Sequence, residues 1–168
     1  MVTVKIPEGI YEKLKKVAEV QGLSIEGYVL SLIVESIDPD RVAESYWDAS
    51  EDLLKQAREE LVKGDLRQAG EKAWGAAALA LKGLAYQRDS VRLVSHGELW
   101  QYISKIEEEF QDKELSRLWR SASSMHVNFY EGWADKRHVE GAIEDVEKLL
   151  EKLKKLPTPH VEPEKSNN

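Results

Sequence analysis

DLRQAGEKAWGAAALALKGLAY, residues Asp65 to Tyr86, is the stretch on which the fold of this chain turns. Leu66, Ala69, Ala73, Ala77, Ala80 and Leu84 recur at three- and four-residue steps, the spacing of one helix face. Ala76, Leu79 and Leu81 widen that face until little polar surface remains, so the pattern predicts a helix with other helices on most of its sides. Gly70, Gly75 and Gly83 each weaken an isolated helix by roughly 1 kcal/mol. Such a cost is tolerated where neighbouring backbones come close, and the three glycines predict that they do.

Helices are expected on both sides of this stretch. Before it, residues 39–63 place Val42, Tyr46, Ala49, Leu53, Ala57 and Leu61 inward and end in the tight turn Gly64-Asp65, with Asp65 as N-cap. After it, a polar connection reaches Ser95, another N-cap, and a helix over 96–110 follows through Leu99, Trp100, Ile103 and Ile106. Asp112 precedes a helix through Leu115, Leu118, Trp119, Ala122, Met125 and Phe129, which Gly132 ends or kinks. Asp135 opens the last helix, through Val139, Ile143, Val146, Leu149, Leu150, Leu153 and Leu156. Antiparallel helices joined by short turns make an up-down bundle, so residues 38–156 are expected to be all-α. The Lys- and Glu-rich face of residues 144–155 reads as solvated, and the Pro-rich tail 157–168 as disordered.

The N-terminal 37 residues read differently. VTVKI alternates, with Val2, Val4 and Ile6 on one face and Thr3 and Lys5 on the other, and so predicts a short strand. Helices are expected over 8–21 and 25–36, separated by Gly22 and the N-cap Ser24. A lone strand has unpaired backbone groups, and the second helix is apolar nearly all round. Both point to a homodimer formed through residues 1–37, with Asp38-Pro39-Asp40 marking the boundary to the bundle.

Composition excludes several classes. The 168 residues contain no cysteine, which removes disulfides, thiolate metal sites and cysteine nucleophiles. A net charge of −7 argues against broad non-specific attraction to nucleic acid or anionic membrane. No apolar run approaches membrane-spanning length and no signal-peptide pattern is visible, so a cytoplasmic protein is expected. Many Glu and Lys beside few Met and Asn resemble the bias of proteins from hot environments.

Strand, helix, Gly-x-Ser turn and apolar helix, as in VTVKIPEGIYEKLKKVAEVQGLSIEGYVLSLIVESI, resemble the ribbon-helix-helix fold. The resemblance implies a DNA-binding regulator, with Thr3 and Lys5 facing the major groove and Ser24 beside a phosphate. Against DNA, residues 1–37 hold four lysines (Lys5, Lys13, Lys15, Lys16) and five glutamates (Glu8, Glu12, Glu19, Glu26, Glu35). That balance favours dimerisation over duplex binding.

LVKGDLRQAGEKAWGAAALALKGLA, SHGELW and ASSMHVNFYEGW, in that order, resemble the archaeal PaREP family of small helical proteins, within the wider HEPN superfamily. A tetratricopeptide-type array is excluded by the absence of a second copy of the unit. The HEPN resemblance implies dimeric proteins that bind RNA or nucleotide. Many are metal-independent ribonucleases with an Arg–polar–spacer–His motif, some in toxin-antitoxin or defence settings, and others serve only as interaction modules. Arg120, Ser121 and His126 match the motif, although active members more often carry Asn, Asp or His where Ser121 stands.

In that chemistry His126 transfers the proton of a ribose 2′-hydroxyl and Arg120 stabilises the phosphorane-like charge. Six residues of straight helix rotate by about 240°, so Arg120 and His126 do not share a face within one chain. The bland alternative makes His126 a hydrogen-bonded histidine between helices and Arg120 a surface ion-pair partner. Ser121, Asn128, Tyr130 and His96 are the further candidate pocket residues; for Asn128 and His96, helix-end structural roles compete. No His and carboxylate spacing suggests a metal, no Gly-rich phosphate loop exists, and no cofactor is expected.

Overall fold

The computed structural model describes residues 4–21, 23–37 and 41–157. Among the described residues seven helices follow one another: α1 Glu8–Gln21, α2 Ile25–Ile37, α3 Val42–Lys63, α4 Leu66–Asp89, α5 His96–Phe110, α6 Glu114–Glu131 and α7 Lys136–Lys154. The described residues contain no strand, so the all-α expectation stands and the expected N-terminal strand does not. Val4 to Pro7 have no regular structure, and Val4 is 76% exposed. The alternation fails for a physical reason: a strand needs a neighbour to take its N–H and C=O groups, and no second segment among the described residues offers one. Pro7 instead begins α1, its carbonyl accepting from the Ile10 and Tyr11 amides at 2.9 and 3.0 Å. Thr3, the Asp38-Pro39-Asp40 break and the tail from residue 158 lie outside the described residues.

The stretch around which the bundle was expected to form is α4, three residues longer than the pattern suggests. It touches α2, α3, α5, α6 and α7. Asp65 caps it, accepting from the Gln68 amide at 3.0 Å. Of its 24 residues, 17 are buried, among them the charged Glu71, Lys82 and Arg88. The α3–α4 pair is the most extensive, and here the glycines act as expected. A Cβ on Gly83 would lie 3.2 Å from Tyr46 Cβ and 3.3 Å from the Ala43 carbonyl oxygen, and one on Gly75 would lie 2.9 Å from Leu53 Cδ1. The same close approach lets the Ser50 hydroxyl donate to the Ala76 carbonyl at 2.8 Å.

Around this axis Leu99, Ile103 and Ile106 of α5, Leu115, Leu118, Trp119 and Met125 of α6, and Val139, Ile143, Val146, Leu149 and Leu153 of α7 close one apolar core. At the α6–α7 corner Gly132 takes φ +68°, the left-handed conformation that ends α6. The buried Asn128 side chain accepts from the Ala134 amide at 2.7 Å and fixes the corner. The charged face of α7 ties helices together: Lys148 bonds Glu114 at 2.6 Å, Lys152 bonds Asp112 at 2.6 Å, and Glu147 pairs with Arg58.

The N-terminal helices are joined to the bundle through α2. Leu23 and Val34 enter the common core, Lys72 donates to Glu26 at 2.8 Å, and the buried Lys82 donates to Ser31 Oγ at 2.9 Å. The Ser24 hydroxyl accepts from the Gly27 amide at 2.9 Å, so it caps α2. Ala18 is the buried residue of α1, whereas Ile10, Val17 and Val20 lie exposed along one stripe.

Packing makes a paired prediction. Gly83→Leu forces a side chain onto the α3 backbone and lowers unfolding free energy by roughly 1–3 kcal/mol. Gly141→Ala in α7, where a Cβ meets nothing within 4 Å, raises it by about 1 kcal/mol. Urea unfolding of both variants checks the pair.

Candidate functional site

Glu71 is a carboxylate on a helix otherwise buried among apolar residues, and it survives there because it has a partner. His126, from the last third of α6, places Nδ1 3.1 and 3.2 Å from the two Glu71 oxygens. A carboxylate only accepts, so Nδ1 is the donor in this pair. Both side chains are largely withdrawn from solvent, at 7% exposure for Glu71 and 12% for His126.

Rings surround this pair. Trp74, one turn after Glu71, has its centroid 5.6 Å from that of His126, 5.2 Å from that of His96 and 5.0 Å from that of Trp119. The His96 and His126 rings meet edge to face at 6.1 Å, and Tyr130 stands edge to face on His126 at 5.5 Å. His96 is aimed by a capping box at the start of α5: Ser95 Oγ accepts from the Glu98 amide at 3.2 Å, while Glu98 accepts from the Ser95 amide at 3.2 Å. Burial, and then the neighbouring His126, hold the His96 imidazole below the ordinary imidazole range. Burial, with the charges of Glu71 and Glu19, raises the Tyr130 hydroxyl.

Five buried side-chain atoms lack a hydrogen-bond partner among the described residues, and three of them, Trp74 Nε1, Trp119 Nε1 and His96 Nε2, fall in this cluster. Orphaned polar atoms cost about 1–3 kcal/mol each. Their concentration here, together with two histidines and a carboxylate, makes this the chemically distinctive region of the bundle.

A cleft of about 700 Å³ opens against it. Glu71, Phe129 and Tyr130 line one side, with Asp65, Arg67 and Gln68 from the start of α4; Tyr11, Lys15, Glu19, Ser24 and Glu26 of the N-terminal helices line the other. His126 stands one layer behind Glu71 and Tyr130. The charges in the cleft are unevenly engaged. Asp65 is taken up by the Gln68 amide, Glu26 by Lys72 and Glu71 by His126, while Lys15, Arg67 and the carboxylate Glu19 have no ion-pair partner among the described residues.

The residues expected from sequence are only partly brought together. His126, His96 and Tyr130 share the cluster. Arg120 lies exposed on another face of α6, with no bond or ring contact to His126, as the 240° rotation requires. Ser121 offers its carbonyl to the Ser124 hydroxyl at 2.7 Å, and Asn128 is committed to the α6–α7 corner. Lys5 is exposed in the irregular N-terminal segment, and Ser24 is a helix cap that also lines the cleft. Glu71, Arg67 and Trp74 were not read as site residues. The available signal was Glu71 itself, a charge with no polar face to occupy. Among the described residues no three His, Asp or Glu side chains come together as a metal site, and no single helix is long and apolar enough to cross a membrane.

The sequence model of the archaeal PaREP1/PaREP8 family matches residues 45–150, more than half of the chain. The chain belongs to that family. The matched span covers nearly all of α3 and α7 and everything between them, so Glu71, Trp74, His96, His126 and Tyr130 of this PaREP1/PaREP8 protein all lie within it, whereas Lys15 does not. No curated protein and no solved structure matches the chain.

The depressed His96 pKa has a consequence for stability. With the folded value below the unfolded one, His96 imposes no cost above pH 6.5, and stability falls as pH drops from there toward the folded value. His96→Phe keeps the ring against Trp74 and removes the titration. Unfolding free energies at pH 8 and pH 5 are therefore expected to differ less in the variant than in the parent protein.

Proposed function

We propose that this PaREP1/PaREP8 protein binds a nucleotide, free or as a unit of RNA, in the cleft beside Glu71, and that the Glu71–His126 pair acts there as a metal-independent proton acceptor. The observation that carries the reading is an oriented carboxylate–imidazole pair beside unengaged cations. Glu71 lines the cleft and is held by the His126 ring behind it. Arg67 and Lys15, without acidic partners, supply the positive charge that a phosphate needs. Phe129, Tyr130 and Tyr11 offer rings to a base. The sequence resemblance to HEPN proteins supports ribonuclease chemistry, but the cation differs from the motif: Arg67 takes the role that the motif gives to Arg120.

For the reaction, the Glu71–His126 pair would accept the proton of a ribose 2′-hydroxyl as its oxygen bonds to the adjacent phosphorus and the bond to the 5′-oxygen breaks, that oxygen taking a proton from water. His126 orients Glu71 and shares the charge of the proton gained. An RNA cleavage assay comparing the parent protein with His126→Ala tests this, with an expected loss of at least about 100-fold. Equal rates, or none in either protein, would end the catalytic part. Binding stands separately: Arg67→Glu should weaken adenosine monophosphate binding measured by calorimetry by about tenfold or more, and unchanged affinity would contradict it.

A second reading concerns assembly and rests on the exposed stripe of α1. Ile10, Val17 and Val20 are apolar and unpartnered, Val20 being 83% exposed. A second copy of α1 laid against this stripe would cover the three side chains. We therefore propose a homodimer through this helical face, without a shared strand. Sedimentation should show a dimer that becomes a monomer in the Val17→Glu/Val20→Glu variant; a monomeric parent protein would refute it.

A further inference from the structure

The nucleotide cleft does not end at Tyr130. Tyr130 is 55% exposed, and the connection that follows α6 carries Trp133 at 49% exposure. The Trp133 ring meets that of His138 edge to face at 5.8 Å, while Tyr130 meets Phe129 at 5.2 Å. Gly132 lies between them with no side chain to cover the surface, and the Arg67 guanidinium packs over it, close enough that a Cβ there would collide with it. Lys136 and Arg137 flank the same corner, with Arg137 turned almost wholly to solvent and only 3.5 Å from Asp135. Asp135 is itself occupied as the N-cap of α7, accepting from the His138 amide at 3.0 Å.

The corner is mixed in charge: Arg67, Lys136 and Arg137 stand beside the exposed Glu131 and Asp135, and Asp135 is taken up by the His138 amide and ring. It joins exposed flat rings to three cations and is continuous with the cleft through Tyr130 and Arg67, which line it. Exposed aromatics are costly to leave in water, and grouped with cations they form the surface on which unpaired bases stack while phosphates pass between positive charges. A duplex, whose base faces are covered by their neighbours, gains nothing from such rings.

We infer that the Tyr130–Trp133–His138 corner is a stacking platform for single-stranded RNA, continuing the strand whose one nucleotide occupies the cleft. The inference rests on the nucleotide reading of the cleft and names its substrate as an unpaired strand. Arg67 then serves both parts, holding the phosphate between the nucleotide in the cleft and the first base on the platform.

The test is fluorescence anisotropy of a fluorescein-labelled twelve-residue oligoadenylate, beside the same strand paired with oligouridylate, and calorimetry with adenosine monophosphate. The expected result is single-strand affinity at least tenfold above that of the mononucleotide and above that of the duplex. Trp133→Ala, at an exposed position outside the helices, should lose roughly tenfold for the single strand and nothing for the mononucleotide, while Trp133→Phe keeps most of the gain. Mononucleotide binding without gain for the strand, equal duplex affinity, or no effect of Trp133→Ala each overturns the platform and leaves the cleft standing. If neither ligand binds, the cleft and the platform fail together.

Discussion

Everything in this molecule depends on how closely helices approach α4. Small residues on that helix let α3 lie so near that a methyl group on Gly83 meets backbone, and Ser50 reaches the α4 main chain. Burial of this kind on most of a helix removes the solvent that charged side chains require. Glu71, Lys82 and Arg88 persist on α4 because each has a partner brought by another element: His126 from α6, Ser31 from α2 and Glu109 from α5. The packing of the bundle and the polarity of its candidate site therefore have one origin. A buried carboxylate without its imidazole would cost several kcal/mol, so the site cannot be lost without strain on the fold.

The same constraint explains why the chemistry sits where it does. Trp74 occupies the centre of the cluster and touches both histidines and Trp119, so one residue of α4 sets the positions of groups from α5 and α6. The N-terminal helices add a wall: α1 contributes Tyr11 and Lys15 to the cleft while Ile10, Val17 and Val20 stay exposed, and α2 adds Val34 to the core. The family match begins after these helices, at residue 45. The matched span holds the Glu71–His126 pair, and Tyr11 and Lys15 lie before it.

Much of the bundle was legible in sequence because its signals are local. Periodic apolar residues marked the helices, and Asp65, Ser95 and Asp135 marked their starts as side-chain caps, each accepting from an amide three residues on. The strand was misread because alternation records which side chains could share a face and says nothing about whether a neighbouring strand exists. His126 was found by its spacing from Arg120, yet that spacing is a property of sequence and the helix carries the two to different faces. Glu71 escaped because a face reading sorts residues into apolar and solvated, and a carboxylate paired inside the core is neither. The Arg67–Tyr130 cleft joins segments more than sixty positions apart, and nothing local announces it.

The most direct measurement is a backbone amide NMR titration with adenosine monophosphate. The account predicts shift changes at Gln68, Glu71 and Tyr130, accompanied by Lys15 and Ser24 across the cleft. Changes confined to the surface around Trp47 and Tyr86, or no changes at millimolar ligand, would contradict it.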